Sequence, residues 1–205
     1  MGRTSDAKER LMDAALSLAW EESYGAVTID DICERARVKK GSFYYFFDSK
    51  SDLSVAALER LWTETWKPAL DSQFSASIPS LQRITGYLET LHRRQVEIKM
   101  KYGKVLGCQV FSLASEVVAQ DEKLGNKVRQ IVAQKRKYFE SAIRDAIAEG
   151  AIEACDPAEK VASLAGLIEG VMMQSRIMND PDLVGRLPVM AQDLLRPKPA
   201  AALGR

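Results

Sequence analysis

The chain has 205 residues, with 29 Lys plus Arg against 28 Asp plus Glu for a formal net charge of +1, and 46% of it is apolar. That length holds one or two compact domains with a sizeable core, and near-neutrality excludes a bulk polycation that binds nucleic acid or membranes by charge alone. Cys33, Cys108 and Cys155 are odd in number, far apart and without a CxxC pair, so neither a disulfide framework nor a zinc site is expected, and no cofactor motif is present.

Residues 1–5 read as a disordered arm. Asp6 with Glu9 makes a cap pattern for a first helix to about Ser23, with Leu11, Ala14, Ala15, Leu18 and Ala19 on one face and Gly25 ending it. There is no signal-peptide apolar stretch and no run approaching a membrane span, so a cytoplasmic protein with no membrane partner is expected.

Thr28 with Asp31 forms a capping box that opens a short helix over about 30–36, and Asp30 and Asp31 suit the positive end of its dipole. Ile29, Ile32, Cys33 and Ala36 give it a narrow apolar stripe, and Val38 sits at the turn that follows. Lys39, Lys40, Gly41 and Ser42 open the next helix, about 40–46, with positive charge, bare backbone and a hydroxyl, all useful beside phosphates. Phe43 and Phe47 lie four apart and share a face, which is assigned to the core. Tyr44 and Tyr45 then point partly outward, with hydroxyls able to reach phosphates or bases. A helix this short cannot bury so many rings alone. A helix-turn-helix, with one face on a core and the other in the major groove, accounts for them. An ordinary helical subdomain leaves the lysines, glycine and tyrosines unexplained.

Charge near this motif is local. Residues 1–53 hold eight bases (Arg3, Lys8, Arg10, Arg35, Arg37, Lys39, Lys40, Lys50) against ten acids (Asp6, Glu9, Asp13, Glu21, Glu22, Asp30, Asp31, Glu34, Asp48, Asp52). Between Arg37 and Lys50 there are four bases and one acid, so DNA contact should be focused there and salt-sensitive.

Ser49 with Asp52 is a second capping box, starting a helix from Lys50 to roughly Leu70 that carries Leu53, Ala57, Leu61, Trp62 and Trp66, with Pro68 ending or kinking it. Pro79 opens a helix to about Met100 with Leu81, Ile84, Leu88 and Leu91 inside. A glycine-containing joint, 102–108, precedes a helix to about Ala119, and a long helix follows over about 125–149. Asp156-Pro157-Ala158-Glu159 starts a helix to about 178, and Asp180-Pro181 starts a final one to about Leu195. Residues 196–205 read as a disordered tail. No strand pattern or internal repeat appears, so the fold is expected to be all-α.

The run from Val38 to Lys50, VKKGSFYYFFDSK, closely resembles the recognition-helix signature of the tetracycline-repressor (TetR) family of bacterial regulators. The resemblance covers roughly residues 6–60, including Gly25, the Thr28 cap, Ala36 and Lys50. It implies an all-helical homodimer. A three-helix helix-turn-helix domain, 1–50, would bind a palindromic operator in double-stranded DNA, and a helical domain, 51–195, would bind a small-molecule effector and dimerise. Lys39 departs from the small polar residue common in the family, and Tyr45 and Phe46 stand where histidines are common, which leaves base preference open. Thr28, Lys39, Lys40, Gly41, Ser42, Tyr44, Tyr45 and Lys50 are the expected DNA-binding residues, with Thr28 and Lys50 at phosphates and Arg3 reaching from the arm.

A two-fold protein matches a near-palindrome, and the helices at 125–149 and 157–178 can pair with their mates as a four-helix bundle. Gly166 and Gly170 would allow close approach there, or else relieve crowding within one subunit. For the effector, Trp62, Trp66, Tyr87, Cys108, Phe111, Met172, Met173 and Gln174 supply apolar walls with a few polar groups, although the same set describes an ordinary core. His92, the one histidine, stands beside Arg93 and Arg94 on a polar face and reads as solvated. With no nucleophile–base pair, phosphate loop or metal cluster, no enzyme is expected. The expected function is a ligand-responsive regulator, most simply a repressor released from its operator by the effector. The alternative is thiol-redox control through Cys108, four residues after Lys104, whereas Cys33 belongs to the core.

Overall fold

The computed structural model describes residues 2–197, and every regular element among them is helical. In chain order come α1 (Gly2–Glu21), α2 (Ile29–Ala36), α3 (Lys40–Phe46) and α4 (Lys50–Arg60). A π-helical turn (Leu61–Trp66) leads to α5 (Lys67–Gln73), followed by α6 (Ser80–Tyr102), α7 (Gln109–Val117), α8 (Glu122–Ala148) and α9 (Pro157–Met178). A 3-10 turn (Pro181–Arg186) then leads to α10 (Leu187–Leu195). The chain divides into two compact units. One runs up to Pro68 and adds Gln109–Val132; the other is Ala69–Cys108 with the chain from Ala133 onward.

In the first unit, α1 packs on α2, α3 and α4. Leu11, Ala15 and Leu18 of α1, and Ile32, Ala36, Phe43, Leu53 and Ala57 of the helices it packs on, are all nearly or fully buried. The arm expected at the N-terminus is replaced from Gly2 by helix. No proline or glycine interrupts residues 3–21, and Asp6, expected as a cap, instead lies inside α1 and pairs with Arg10 one turn on at 3.5 Å. The turn between α2 and α3 closes through Arg37, left-handed at φ 53°, with Val38 N–H donating to the Cys33 carbonyl at 2.9 Å.

Pro68 does not end its helix. Lys67 N–H reaches back five residues to the Trp62 carbonyl. In an α-helix Pro68 would leave the Glu64 carbonyl without a donor and press its ring against it. The wider π turn just ahead of the proline relieves that clash and lets the helix continue as α5. α8 likewise starts before Gly125, at Glu122, because the Asp121 carboxylate accepts from Leu124 N–H at 2.9 Å. Gly125 then lies within the helix, where a Cβ would stand 3.3 Å from the Val118 backbone.

In the second unit, buried Arg83 ties the start of α6 down by donating to the Ile78 carbonyl at 2.7 Å and by pairing with Asp145 of α8. Gln95 and Gly107 exchange both amide hydrogen bonds, at 3.1 and 3.4 Å, which fixes the joint before α7. Gly107 adopts φ 71°, a left-handed conformation that favours glycine. Phe74, Tyr87, Tyr138 and Phe139 cluster with ring centroids 4.8–6.0 Å apart. The segment after Asp180 is 3-10 for six residues, with Leu187 N–H bonded to the Val184 carbonyl, before α10 begins. Of the tail expected to be disordered, Arg196 closes α10 in a left-handed conformation, and residues 198–205 lie outside the described residues.

Candidate nucleic-acid interface

The capping box at α2 forms as the sequence predicts. Thr28 Oγ1 accepts from Asp31 N–H at 3.2 Å, while the Asp31 carboxylate accepts from Thr28 N–H at 2.8 Å and from its hydroxyl at 2.6 Å. The Thr28 side-chain and then its backbone hydrogen bonds hold the Asp31 carboxyl below its usual range. Thr28 is thus a cap whose hydroxyl is already donating. Lys39 precedes α3 and makes no side-chain cap, so the first amides of α3 are left to other partners. Gly41 follows, exposed, with open space where a Cβ would be.

α3 divides sharply by face. Phe43 is 0% and Phe47 6% exposed, whereas Tyr44 is 53% and Tyr45 75% exposed. Each tyrosine is steered by a neighbouring ring: Tyr44 stands edge-on to Phe43 at 5.2 Å and Tyr45 edge-on to Phe46 at 4.9 Å. Lys39, Lys40 and Gly41 are exposed and Ser42 half-buried at the same end of the helix. Seven of the eight expected DNA residues therefore lie on or beside the solvent face of this motif.

Lys50, the eighth, has a duty that the sequence did not show. Its Nζ donates to the carbonyls of Tyr24 and Val27, each at 2.7 Å, and sits 4.1 Å from the centre of the Tyr24 ring. Burial pulls its pKa down, with the Glu116 carboxylate opposing. Two of its three N–H groups lock the α1–α2 loop to α4. The same loop is braced from ninety residues away, since Glu116 of α7 accepts from Ser23 Oγ at 2.8 Å and Gly25 N–H at 3.1 Å. Further along, Lys123 pairs with Asp52, and Lys127 with Glu59 at 2.6 Å.

The residues expected to hold an effector are divided. Trp62, Trp66 and Phe111 belong to the first unit, and Tyr87, Cys108, Met172, Met173 and Gln174 to the second. Trp62 and Met172 are buried, Phe111 is partly exposed, and Trp66, Tyr87, Cys108 and Met173 are half-buried. Gln174 does not join the interior: it is exposed, in step with Gly166 and Gly170 along α9.

The second unit also holds two charged groups that sequence reasoning missed. The Lys135 side chain is half-buried, and its ammonium lies 5.3 Å from the centre of the Tyr87 ring. Burial pulls its pKa down, but Tyr87, Cys108 and Glu169 together more than offset this and hold it charged. Glu169 Oε2 is buried without a hydrogen-bond partner. The signal was present: Lys135 lies four residues from both Ile131 and Phe139 on the apolar stripe of α8, and Glu169 stands next to Ile168 on α9. Among the described residues no group of three or more His, Cys, Asp or Glu side chains could hold a metal, and no helix is long and apolar enough to cross a membrane.

Residues 11–57 match the family model of bacterial regulatory proteins, tetR family, and residues 84–188 match the tetracyclin repressor-like C-terminal domain. The chain belongs to the tetR family. The transcriptional regulator AcuR of Cereibacter sphaeroides is 28% identical over 178 residues, covering 86% of this chain and 79% of its own length. The repressor NemR of Escherichia coli is 22% identical over 173 residues, covering 84% and 85% respectively. A tetR-family regulatory protein of Rhodobacter sphaeroides superposes with a TM-score of 0.79 at 26% identity, over 92% of this chain and 98% of that one. The helix-turn-helix of α2 and α3 lies within the first matched region, and the chain is a DNA-binding transcriptional regulator.

Proposed function

We propose that this tetR-family protein is a cytoplasmic homodimeric repressor that leaves a palindromic operator when a small effector binds its C-terminal domain. Residues 1–50 serve as the DNA-binding domain and 51–195 as the effector and dimerisation domain, and no catalysis is involved. The observation that carries this reading is the outer face of α3, where Tyr44 and Tyr45 stand exposed beside Lys39, Lys40 and Gly41 over a core of Phe43 and Phe47. Lys39, Lys40, Ser42, Tyr44 and Tyr45 enter the major groove, while the α2 start at Thr28 and the remaining Lys50 N–H hold phosphates. The effector acts by its unequal affinity for two conformers, one with recognition helices matched to the operator pitch of about 34–36 Å and one without.

Titrating the purified protein against the DNA flanking its own gene, over a salt series with random DNA as control, tests the reading. Tight, salt-sensitive binding confined to a palindromic segment is the expected result. Equal weak binding to both DNAs would count against it.

The homodimer is supported by α9. Gly166 and Gly170 are exposed, and a Cβ at either would meet nothing within 4 Å, which excludes crowding inside the subunit as their reason. Ile177 and Met178, each 65% exposed, extend that face with apolar surface. Gly170→Trp is expected to leave the subunit folded and to weaken the dimer by about 2–6 kcal/mol, since overpacking is met twice across a two-fold axis. Sedimentation should then show monomers at concentrations where the wild type is dimeric.

One observation favours a second reading. Cys108 is half-buried and lies within electrostatic reach of the Lys135 ammonium, so the thiol has a cation near it. If the effector reading holds, wild-type protein keeps its DNA through hydrogen peroxide treatment, and Cys108→Ser behaves the same way. Peroxide-induced release that Cys108→Ser abolishes would move the assignment to thiol control.

A further inference from the structure

Lys40, the first residue of the recognition helix, is held by the helix before it. Its Nζ lies 2.7 Å from one carboxylate oxygen of Asp30 and 2.9 Å from the other, and both side chains are more than half exposed. This hydrogen bond keeps the Lys40 ammonium above its usual range. Asp30 is not required for capping, because Thr28 and Asp31 already complete the box on α2. An acid at this place opposes DNA, since it faces the same phosphates that its lysine would meet.

We propose that Asp30 is a selectivity residue that withholds the Lys40 ammonium from the phosphates of non-cognate DNA. The inference rests on the DNA-binding reading of α3. Sequence-independent affinity follows the number of phosphates neutralised, each adding about −0.9 to the slope of log K against log salt. While the pair is closed, Lys40 brings no net charge to the backbone. Opening it frees Asp30 to take a cation from solution, which cancels the counterion that the phosphate releases. Operator binding draws also on base contacts from Tyr44, Tyr45 and Ser42, and paired Lys40 keeps one N–H for a base acceptor. The ion pair therefore weakens non-cognate binding while leaving base readout in place.

Full-length wild type, Asp30→Asn, Lys40→Gln and the double variant are titrated with a random-sequence duplex between about 50 and 200 mM salt. Asp30→Asn should bind about eightfold tighter per engaged protomer at about 0.1 M salt, with a slope steeper by about 0.9, the equivalent of one added phosphate contact. That gain should vanish in the Lys40→Gln background. No gain from Asp30→Asn, a gain that persists without Lys40, or an equal gain from Glu34→Gln (an exposed acid of the same helix) overturns the inference. Wild-type protein that binds neither the random duplex at low salt nor the DNA flanking its own gene overturns the DNA-binding reading itself, a result distinct from those three.

Discussion

Replacing Tyr44 with alanine is expected to abolish specific operator binding while leaving the helices and the dimer intact. Tyr44 is more than half exposed on α3, and its ring is held edge-on against buried Phe43, so its hydroxyl is presented rather than loose. A side chain that reads bases contributes about 1–3 kcal/mol per site, and a two-fold dimer makes the contact twice. The loss is about 2–6 kcal/mol, a fall in affinity from about thirtyfold to beyond a thousandfold. Fluorescence anisotropy on labelled operator DNA measures it, with circular dichroism and sedimentation as controls for fold and assembly. Operator affinity equal to the wild type would refute the placing of Tyr44 at the interface.

Phe43→Ala, one residue earlier, should do the reverse and destroy the fold that presents the tyrosine. Phe43 is fully buried on α3, which packs on α1 and α2, and removing a core phenylalanine costs about 3–5 kcal/mol. Against a typical stability of about 5–15 kcal/mol, that is enough to unfold much of the helix-turn-helix near physiological temperature. Denaturant unfolding followed by circular dichroism should show the midpoint falling, and DNA binding should fail with it. Unchanged stability in this variant would mean that the face of α3 has been assigned wrongly. Neighbouring residues with opposite consequences, one on readout and one on folding, follow from the hundred-degree step of a helix.

What the sequence made legible was short-range. Thr28 with Asp31 and Ser49 with Asp52 lie three residues apart, and both caps form. Phe43 and Phe47, four apart, face inward together, and the tyrosines between them face out. Such patterns are readable because one turn of helix brings those residues together whatever the rest of the chain does. The π turn before Pro68 was half legible: the proline was visible, but a proline can end, kink or widen a helix, and residues 61–66 take the wide form.

Tertiary structure alone decided the long-range partnerships. Lys50 holding the Tyr24 and Val27 carbonyls, Asp30 holding Lys40, and Glu116 holding Ser23 and Gly25 join residues ten to ninety-three positions apart. Gln174 was read with Met172 and Met173, yet it lies outside in step with Gly166 and Gly170. Lys135 and Glu169 carry charges beside apolar stripes, and the setting of each, the Tyr87 ring near Lys135 and burial without a hydrogen-bond partner for Glu169 Oε2, is fixed only when the helices pack. The sequence by itself thus determined that the chain is helical, where the Thr28, Ser49 and Asp156 caps start their helices, and which face of α3 meets water, since those depend on neighbours within a turn. Which lysine ammoniums are paired, as those of Lys40 and Lys50 are, and which acid oxygen is buried without a partner, as in Glu169, depended on contacts that do not exist until the chain has folded.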